Sequence, residues 1–297
     1  MQETLLRAWR GLGRLEDPAA LRAWLYRIAT NTCLDAIGRR PKRVLPVDYA
    51  PRWDPGQSPG QPLVESVWVE PYPDETLQVE DGYAAPEARY EQREAVELAF
   101  IAALQHLPAR QRAVLILRDV LGYTGAEVAT ALDTNPDAVY TALQRAHKTV
   151  EERLPERSQQ ATLRSLGDDA LRGIVENYVE AWEQGDVDAL AAKLAEDAAL
   201  TMPPVPTWYR GREVIAKFLR GRPLQDRWRV VPTRANGQPA FGHYRWDDEA
   251  QAFVARTVAV LTLDIDRIAE ITAFRTPGLL ERFDLPDKLS PSTKETT

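Results

Sequence analysis

Apolar residues at Leu21, Trp24, Leu25, Ile28, Leu34 and Ile37 fall near helical spacing, with Arg22, Arg27, Asn31 and Asp35 between them. The stretch from Asp17 to Arg43 therefore predicts a two-faced helix, one side buried and the other basic and amide-bearing. Asp17 suits the N-cap, Pro18 the first helical position and Gly38 the end, after which Arg39, Arg40, Lys42 and Arg43 follow. From Val44 to about Gln92 eight prolines interrupt any long helix or central strand, so this stretch reads as a linker. Trp53, Leu63, Val67, Trp68, Val69 and Tyr72 within it are costly to leave in water. These side chains read as pinning the linker to a flanking domain, and its acidic residues Glu65, Glu70, Asp74, Glu75, Glu80 and Asp81 can at the same time compete with nucleic acid for the basic face.

Residues 87–153 predict consecutive short helices. One stripe runs through Ala95, Leu98, Ile101, Ala102 and Leu104, and another through Val114, Leu115, Leu117 and Leu121. Two short helices then meet at a turn around Asp133 and Thr134, where Asn135 suits the N-cap, Pro136 the first helical position and Asp137 the helix dipole. This is helix-turn-helix patterning. A short polar stretch, Pro155 to Gly167, closes the segment. From Asp168 two helices split at Gly185 and Asp186, and a third follows a turn at Gly211. β-Branched and aromatic runs with turns at Asn236–Gly237 and near Asp264 to Asp266 then predict an antiparallel sheet, giving an α+β pattern.

Charge changes this picture more than composition does. Residues 1–43 hold nine Lys and Arg against four Asp and Glu, whereas residues 44–92 hold two against ten. A basic head is followed at once by an acidic tether, and the net charge of −7 argues against a protein that coats DNA by charge alone. Cys33 is the only cysteine, which excludes an internal disulfide and a multi-cysteine metal site, and beside Leu34 it reads as a packed thiol. No metal site or cofactor is expected. No apolar run approaches the roughly 20 residues of a membrane span and no signal-peptide pattern opens the chain, so the expectation is a cytoplasmic protein without a membrane partner.

WLYRIATNTCLDAIGRR, preceded by QETLLRAWRGL, resembles region 2 of the extracytoplasmic-function sigma-70 relatives, which give bacterial RNA polymerase its promoter choice. The family carries further helical segments before the QE motif, so the resemblance implies that part of region 2 is missing. LPARQRAVLILRDVLGYTGAEVA, leading into the helix-turn-helix, is similar to region 4 of the same family, which reads the promoter −35 element. Residues 170 to about 285 resemble the SnoaL-like branch of the NTF2-like cone fold, through AWEQGDVDALAAKLAEDAALTMPP followed by WYRG. The whole chain resembles the sigma-G-type group, and FDLPDKL at residues 283–289 is similar to a C-terminal motif of sigma factors with this appendage. The expected architecture is multidomain: truncated region 2 (1–43), an acidic Pro-rich linker (44–92), region 4 (93–155) and a SnoaL-like domain (168–289).

The resemblance implies a transcription initiation factor whose partners are RNA polymerase core and promoter DNA. Gln2, Glu3, Leu6 and Arg7 would engage the β′ clamp helices. Asn31 would contact an unstacked base of the −10 element, with Trp24, Arg27, Arg39 and Arg40 in the same strand-opening region, although Trp24 serves equally as a core residue. In region 4, Arg145 and Lys148 suit phosphate contact, and Asn135, Thr141 or Gln144 suit base edges. Tyr140 falls with Thr141 and Ala142 on the outer face of that helix, packing within the helical hairpin being the alternative.

Cone-fold relatives also include isomerases and cyclases, so an enzyme with inherited sigma modules is a second reading and a polymerase-independent helix-turn-helix regulator a third. Trp182, Trp208, Tyr209, His243, Arg256 and Phe274 are candidate pocket residues for a small ligand, with Asp197 a further candidate for chemistry and Tyr244 for a wall. No spacing forces a carboxylate and a histidine onto one atom. The expectation is a regulatory domain without catalysis.

Overall fold

The computed structural model describes residues 2–14, 21–39, 45–54, 61–62, 68–76, 97–154, 157–221 and 223–291. Helices α1 (Gln2–Gly11), α2 (Leu21–Arg39), α3 (Pro46–Tyr49), α4 (Leu98–Leu104), α5 (Ala109–Leu115), α6 (Gly125–Ala131) and α7 (Pro136–Glu151) come first. Then follow α8 (Gln159–Leu166), α9 (Asp168–Gln184), α10 (Val187–Lys193), β1 (Leu194–Met202), β2 (Val205–Arg210), α11 (Arg212–Gly221), β3 (Trp228–Ala235), β4 (Gln238–Asp247), β5 (Ala252–Asp264), β6 (Arg267–Phe274) and β7 (Lys288–Leu289). The chain forms two units, Met1–Lys42 with Ala102–Pro155, and Arg43–Ile101 with Glu156–Thr297. No described helix is long and apolar enough to cross a membrane.

In the first unit α1 packs on α2, and Arg7 donates to Glu3 at 3.0 Å and to Asp35 at 2.8 Å. The Asp17–Pro18 start of the second helix lies outside the described residues. Of its stripe, Leu21 and Leu25 are exposed and Trp24 and Ile28 half-buried, while the Leu34 and Ile37 side chains lie outside the described residues. The described neighbours of α2 include α1 and parts of α5 and α6. Cys33 is exposed rather than packed, because it lies off that contact line.

Helix α5 continues through a wide turn, Ile116–Val120, and the chain leaves it at Leu121, which is exposed rather than part of the stripe. Thr124 and Glu127 form a reciprocal capping box at the start of α6. Asp133 takes the left-handed conformation at the turn, φ 50°, and Asn135 then caps α7, its Oδ1 accepting from the Ala138 N–H at 2.8 Å. Val114, Val128, Ala129, Leu132 and Val139 close the small core these helices share.

In the second unit one curved sheet runs β2-β1-β6-β5-β4-β3, with β7 added to β5. Most pairs are antiparallel as expected, but β1 and β6 are parallel. The reason is connectivity: β2 closes one edge of β1 as a hairpin, and the meander β3–β6 returns its last strand to the other edge. Leu171, Ile174, Tyr178 and Ala181 make the buried stripe of α9 and pack onto the sheet's concave face with Phe241, Leu261 and Ile271. Gly185, left-handed at φ 69°, ends α9, and Asp186 caps α10 by accepting from the Ala189 N–H at 2.9 Å.

The polar stretch from Pro155 to Gly167 contains helix α8, whose Gln159, Gln160, Thr162 and Leu163 are buried. Gln159 pairs with the Leu263 backbone in both directions, at 2.6 and 2.7 Å, so its amide satisfies both backbone groups of that β5 residue as a paired strand would.

Part of the proline-rich segment is a strap on this unit. Trp68, Val69, Pro71 and Pro73 are buried, and Trp53 packs on the concave-face core. Trp53 N–H donates to the Trp208 carbonyl at 2.8 Å, and Trp208 Nε1–H donates to the Ala50 carbonyl at 2.7 Å. The strap fastens to the β3–β4 turn. Tyr72 exchanges hydrogen bonds with Asn236, and the Asp74 carboxylate accepts from the Gly237 N–H at 2.7 Å and from Arg234 Nε at 3.1 Å. Gln160 Nε2 donates to the Gly237 carbonyl at 2.9 Å, and its own N–H donates to Glu97 at 2.8 Å. The aromatic residues Trp53 and Trp68 thus pin the linker, while Glu70 and Asp74 pair with Arg282 and Arg234. Leu63, Val67, Glu65, Glu80 and Asp81 lie outside the described residues.

Asn236 and Gly237 both have positive φ, 56° and 72°, and a Cβ on Gly237 would stand 2.7 Å from the Gln160 amide. Gly237→Ala should lower stability by about 1–2 kcal/mol in urea unfolding, through left-handed strain alone, with added loss from displacing Gln160.

Candidate functional site

Three surfaces carry the chemistry expected from the sequence. On α7, burial of Val139, Ala146 and Val150 turns Tyr140, Thr141, Gln144, Arg145 and Lys148 to solvent. Tyr140 is 63% exposed and receives a hydrogen bond from Gln144 Nε2 at 3.0 Å, so it belongs to the outer face and not to the hairpin interior. The Thr141 hydroxyl donates to the Asp137 carbonyl at 2.9 Å, and Asn135 Oδ1 is held by the cap. His147 sits 2.6 Å from Asp119.

On α2, Asn31 and Arg27 are exposed, and Arg27 lies 4.0 Å from Asp133 in the helix-turn-helix turn. An exposed pair at that distance contributes little, about 0–1 kcal/mol. Trp24 is half-buried and its ring approaches Gly11 closely enough that a Cβ there would stand 3.1 Å away. Arg39 ends the helix, and Arg40 lies outside the described residues. On α1, Glu3, Leu5, Leu6 and Trp9 are exposed, Trp9 at 78%, while Arg7 is tied to Glu3 and Asp35. Gln2 is the first helical residue.

The third surface is a cavity of about 420 Å³ inside the curved sheet. Trp182 on α9 and Trp228 on β3 meet edge to face at 5.6 Å, with Leu200, Met202, Phe218 and Ile271 completing apolar walls. At the base His243 Nε2 lies 3.3 Å from the Tyr178 hydroxyl. His243 is only 3% exposed, and burial lowers its pKa to about 4, so the imidazole is neutral at pH 7. Burial likewise pushes the Tyr178 phenol well above its usual range. Arg245, Arg256 and Arg275 stand at the rim with Asp226.

Of the pocket residues named from sequence, Trp182, His243 and Arg256 line this cavity. Trp208 faces the strap, Tyr209 stacks on Phe218 at 4.5 Å within the core, and Phe274 is buried without lining the cavity. Asp197 pairs with Arg210 at 3.0 Å, and Tyr244 is buried away from the cavity lining. Arg245 and Arg275 escaped sequence reading, although the period-2 series Ile271, Ala273, Arg275 places the last on the same face as two cavity-lining residues.

Comparison with known proteins agrees with this division. The chain matches the sigma-70 region 2 family over residues 1–43, sigma-70 region 4 over 97–150 and the SnoaL-like domain family over 175–271. It is 39% identical over 304 residues to the ECF RNA polymerase sigma factor SigG of Mycobacterium tuberculosis, covering 97% of this chain and 77% of that one. This chain belongs to the ECF RNA polymerase sigma factors. SigM of the same organism is 32% identical over 146 residues, covering 49% of this chain and 58% of SigM. The crystal structure of the M. tuberculosis sigma factor SigJ has the same fold, with a TM-score of 0.51 at 19% identity over 96% of this chain and 89% of that one. As a sigma factor with both regions present, the chain serves promoter-specific transcription initiation by RNA polymerase, and α7 is the second helix of its region 4 helix-turn-helix.

His243 gives the SnoaL-like domain a pH signature. A histidine held at about 4 when folded and near 6.5 when unfolded leaves stability intact above pH 6.5 and removes it as pH falls toward 4. The loss should reach about 2 kcal/mol at pH 5. Urea unfolding at pH 7 and pH 5 should show this difference in the wild type and a smaller one in His243→Gln.

Proposed function

We propose that this sigma factor is restrained by its own SnoaL-like domain, which holds the linker between region 2 and region 4. The carrying observation is that Asp74 within the linker and Glu97 at the start of region 4 are both fastened to one β3–β4 turn, through Gly237 and Gln160. A sigma linker of this class passes near the polymerase cleft during initiation. Residues 68–76 cannot be buried against the cone domain and lie in that cleft at the same time. The docked strap is thus an inhibited state, and its release is the activating step.

Within this reading region 2 opens the −10 element and region 4 reads the −35 element. Asn31 takes up an unstacked base, at a flipping cost of a few kcal/mol that polar capture offsets. The exposed row Thr141, Gln144, Arg145 and Lys148 supports major-groove docking of α7, with the two cations on phosphates. The exposed Leu5, Leu6 and Trp9 on α1 support docking of that helix on the polymerase β′ clamp helices. Such a factor works in the cytoplasm.

The SnoaL-like domain binds rather than catalyses. Among the described cavity residues the one carboxylate is Asp226, which is exposed and lies 3.4 Å from Arg245. A general base for isomerisation would want a carboxylate withdrawn from water with its pKa raised.

Asp74→Ala removes the acceptor shared by Gly237 and Arg234, at a cost of about 1.5–3 kcal/mol in strap docking. With core RNA polymerase and limiting sigma factor, this variant should give several-fold more promoter-dependent transcript than wild type, with region 4 and the cone domain still folded by thermal melt. Equal or reduced transcription would refute the restraint.

A further inference from the structure

The arginines at the cavity rim do not balance their acids. Arg245 pairs with Asp226 and Arg256 with Asp247, both at 3.4 Å, whereas Arg275 makes no ion pair among the described residues. Arg275 closes the β6 series Ile271, Ala273, Arg275, and its backbone is held by the N–H bond to the Pro203 carbonyl at 2.7 Å. Below it the interior carries no net charge: His243 is neutral and engaged with Tyr178, and the walls are indole, thioether and aliphatic. A cationic guest would meet repulsion at the rim and find no carboxylate inside.

We propose that the cavity binds a small, flat, apolar carboxylate, its hydrocarbon body against the apolar walls beside the edge-to-face pair Trp182 and Trp228 and its carboxylate on the Arg275 guanidinium. The planar fork of arginine matches a carboxylate with two parallel hydrogen bonds. The volume of about 420 Å³ falls within the roughly 300–1,000 Å³ of small-molecule sites. A single anionic head matches Arg275, the one arginine of the described cavity lining without an ion pair. Desolvation and the nearby Arg245 and Arg256 lower the Arg275 pKa, so an arriving anion relieves crowded positive charge. This inference rests on the reading of the SnoaL-like domain as a binding domain, and names the class of signal it would receive.

The probes are 2-naphthylacetate and its neutral counterpart 2-(2-naphthyl)ethanol, titrated calorimetrically into the full chain without polymerase. The carboxylate should bind at least tenfold more tightly than the alcohol. Arg275→Gln should narrow that ratio below twofold while leaving the alcohol's affinity within twofold, and Arg275→Lys should keep part of the preference. Ala273→Trp, which fills the cavity from β6, should abolish both titrations with the melting temperature of the other variants retained. Equal binding of the two probes, binding of neither, or a ratio indifferent to Arg275→Gln would overturn the proposal. Failure here leaves the strap restraint standing, because that is read from transcription by Asp74→Ala.

Discussion

The Asp74 carboxylate accepting from the Gly237 N–H and the Arg234 guanidinium is the contact on which the second unit's organisation depends. Asp74 is 4% exposed, so water cannot replace either donor if the carboxylate is lost. The turn it grips has little alternative geometry, since Asn236 and Gly237 both need positive φ to join two twisted strands through two residues. Gln160 holds the other side of that turn and Glu97 holds Gln160. A hairpin turn of the cone domain therefore fixes one point in the linker, Asp74, and one at the start of region 4, Glu97. Burial of Trp68 and Val69 adds apolar contact to the hydrogen bonds at the linker point.

Region 4 is organised differently. Its core is small, and its definition comes from caps: Thr124 with Glu127 on α6, and Asn135 on α7. Burying Val139, Ala146 and Val150 leaves the polar row of α7 in water, as a helix meant for a groove requires. Region 2 has the weakest described packing. Exposed Leu5, Leu6, Trp9, Leu21 and Leu25 give it an apolar surface that suits a sigma factor acting on a polymerase. The Arg27–Asp133 pair, between region 2 and the helix-turn-helix turn, is exposed and weak.

What could be read from the chain follows from how local each signal is. Asn135–Pro136–Asp137, Gly185–Asp186 and Asn236–Gly237 announce caps and turns within a few residues, and each stands where its chemistry predicts. The two helices on either side of Gly185–Asp186 were legible for the same reason. Helix α8 was not: Gln159 and Gln160 look solvated in sequence, yet their amides find backbone partners 104 and 77 residues away. The cavity was half legible. Trp182, His243 and Arg256 line it, but Trp208 and Tyr209 adjoin in sequence and serve a strap and a core, because neighbouring strand residues point to opposite faces. Arg245 and Arg275 acquire meaning only when β4 and β6 bring them to one rim, a non-local fact.

Hydrogen exchange on the full-length free protein tests the strap most directly. If the linker is a docked part of the cone domain, the Tyr72 and Asp74 amides should exchange as slowly as those of Asn236 and Gly237, and all four should speed up together in Asp74→Ala. Tyr72 and Asp74 amides that exchange at unstructured-chain rates while the β3–β4 amides stay protected would contradict the account.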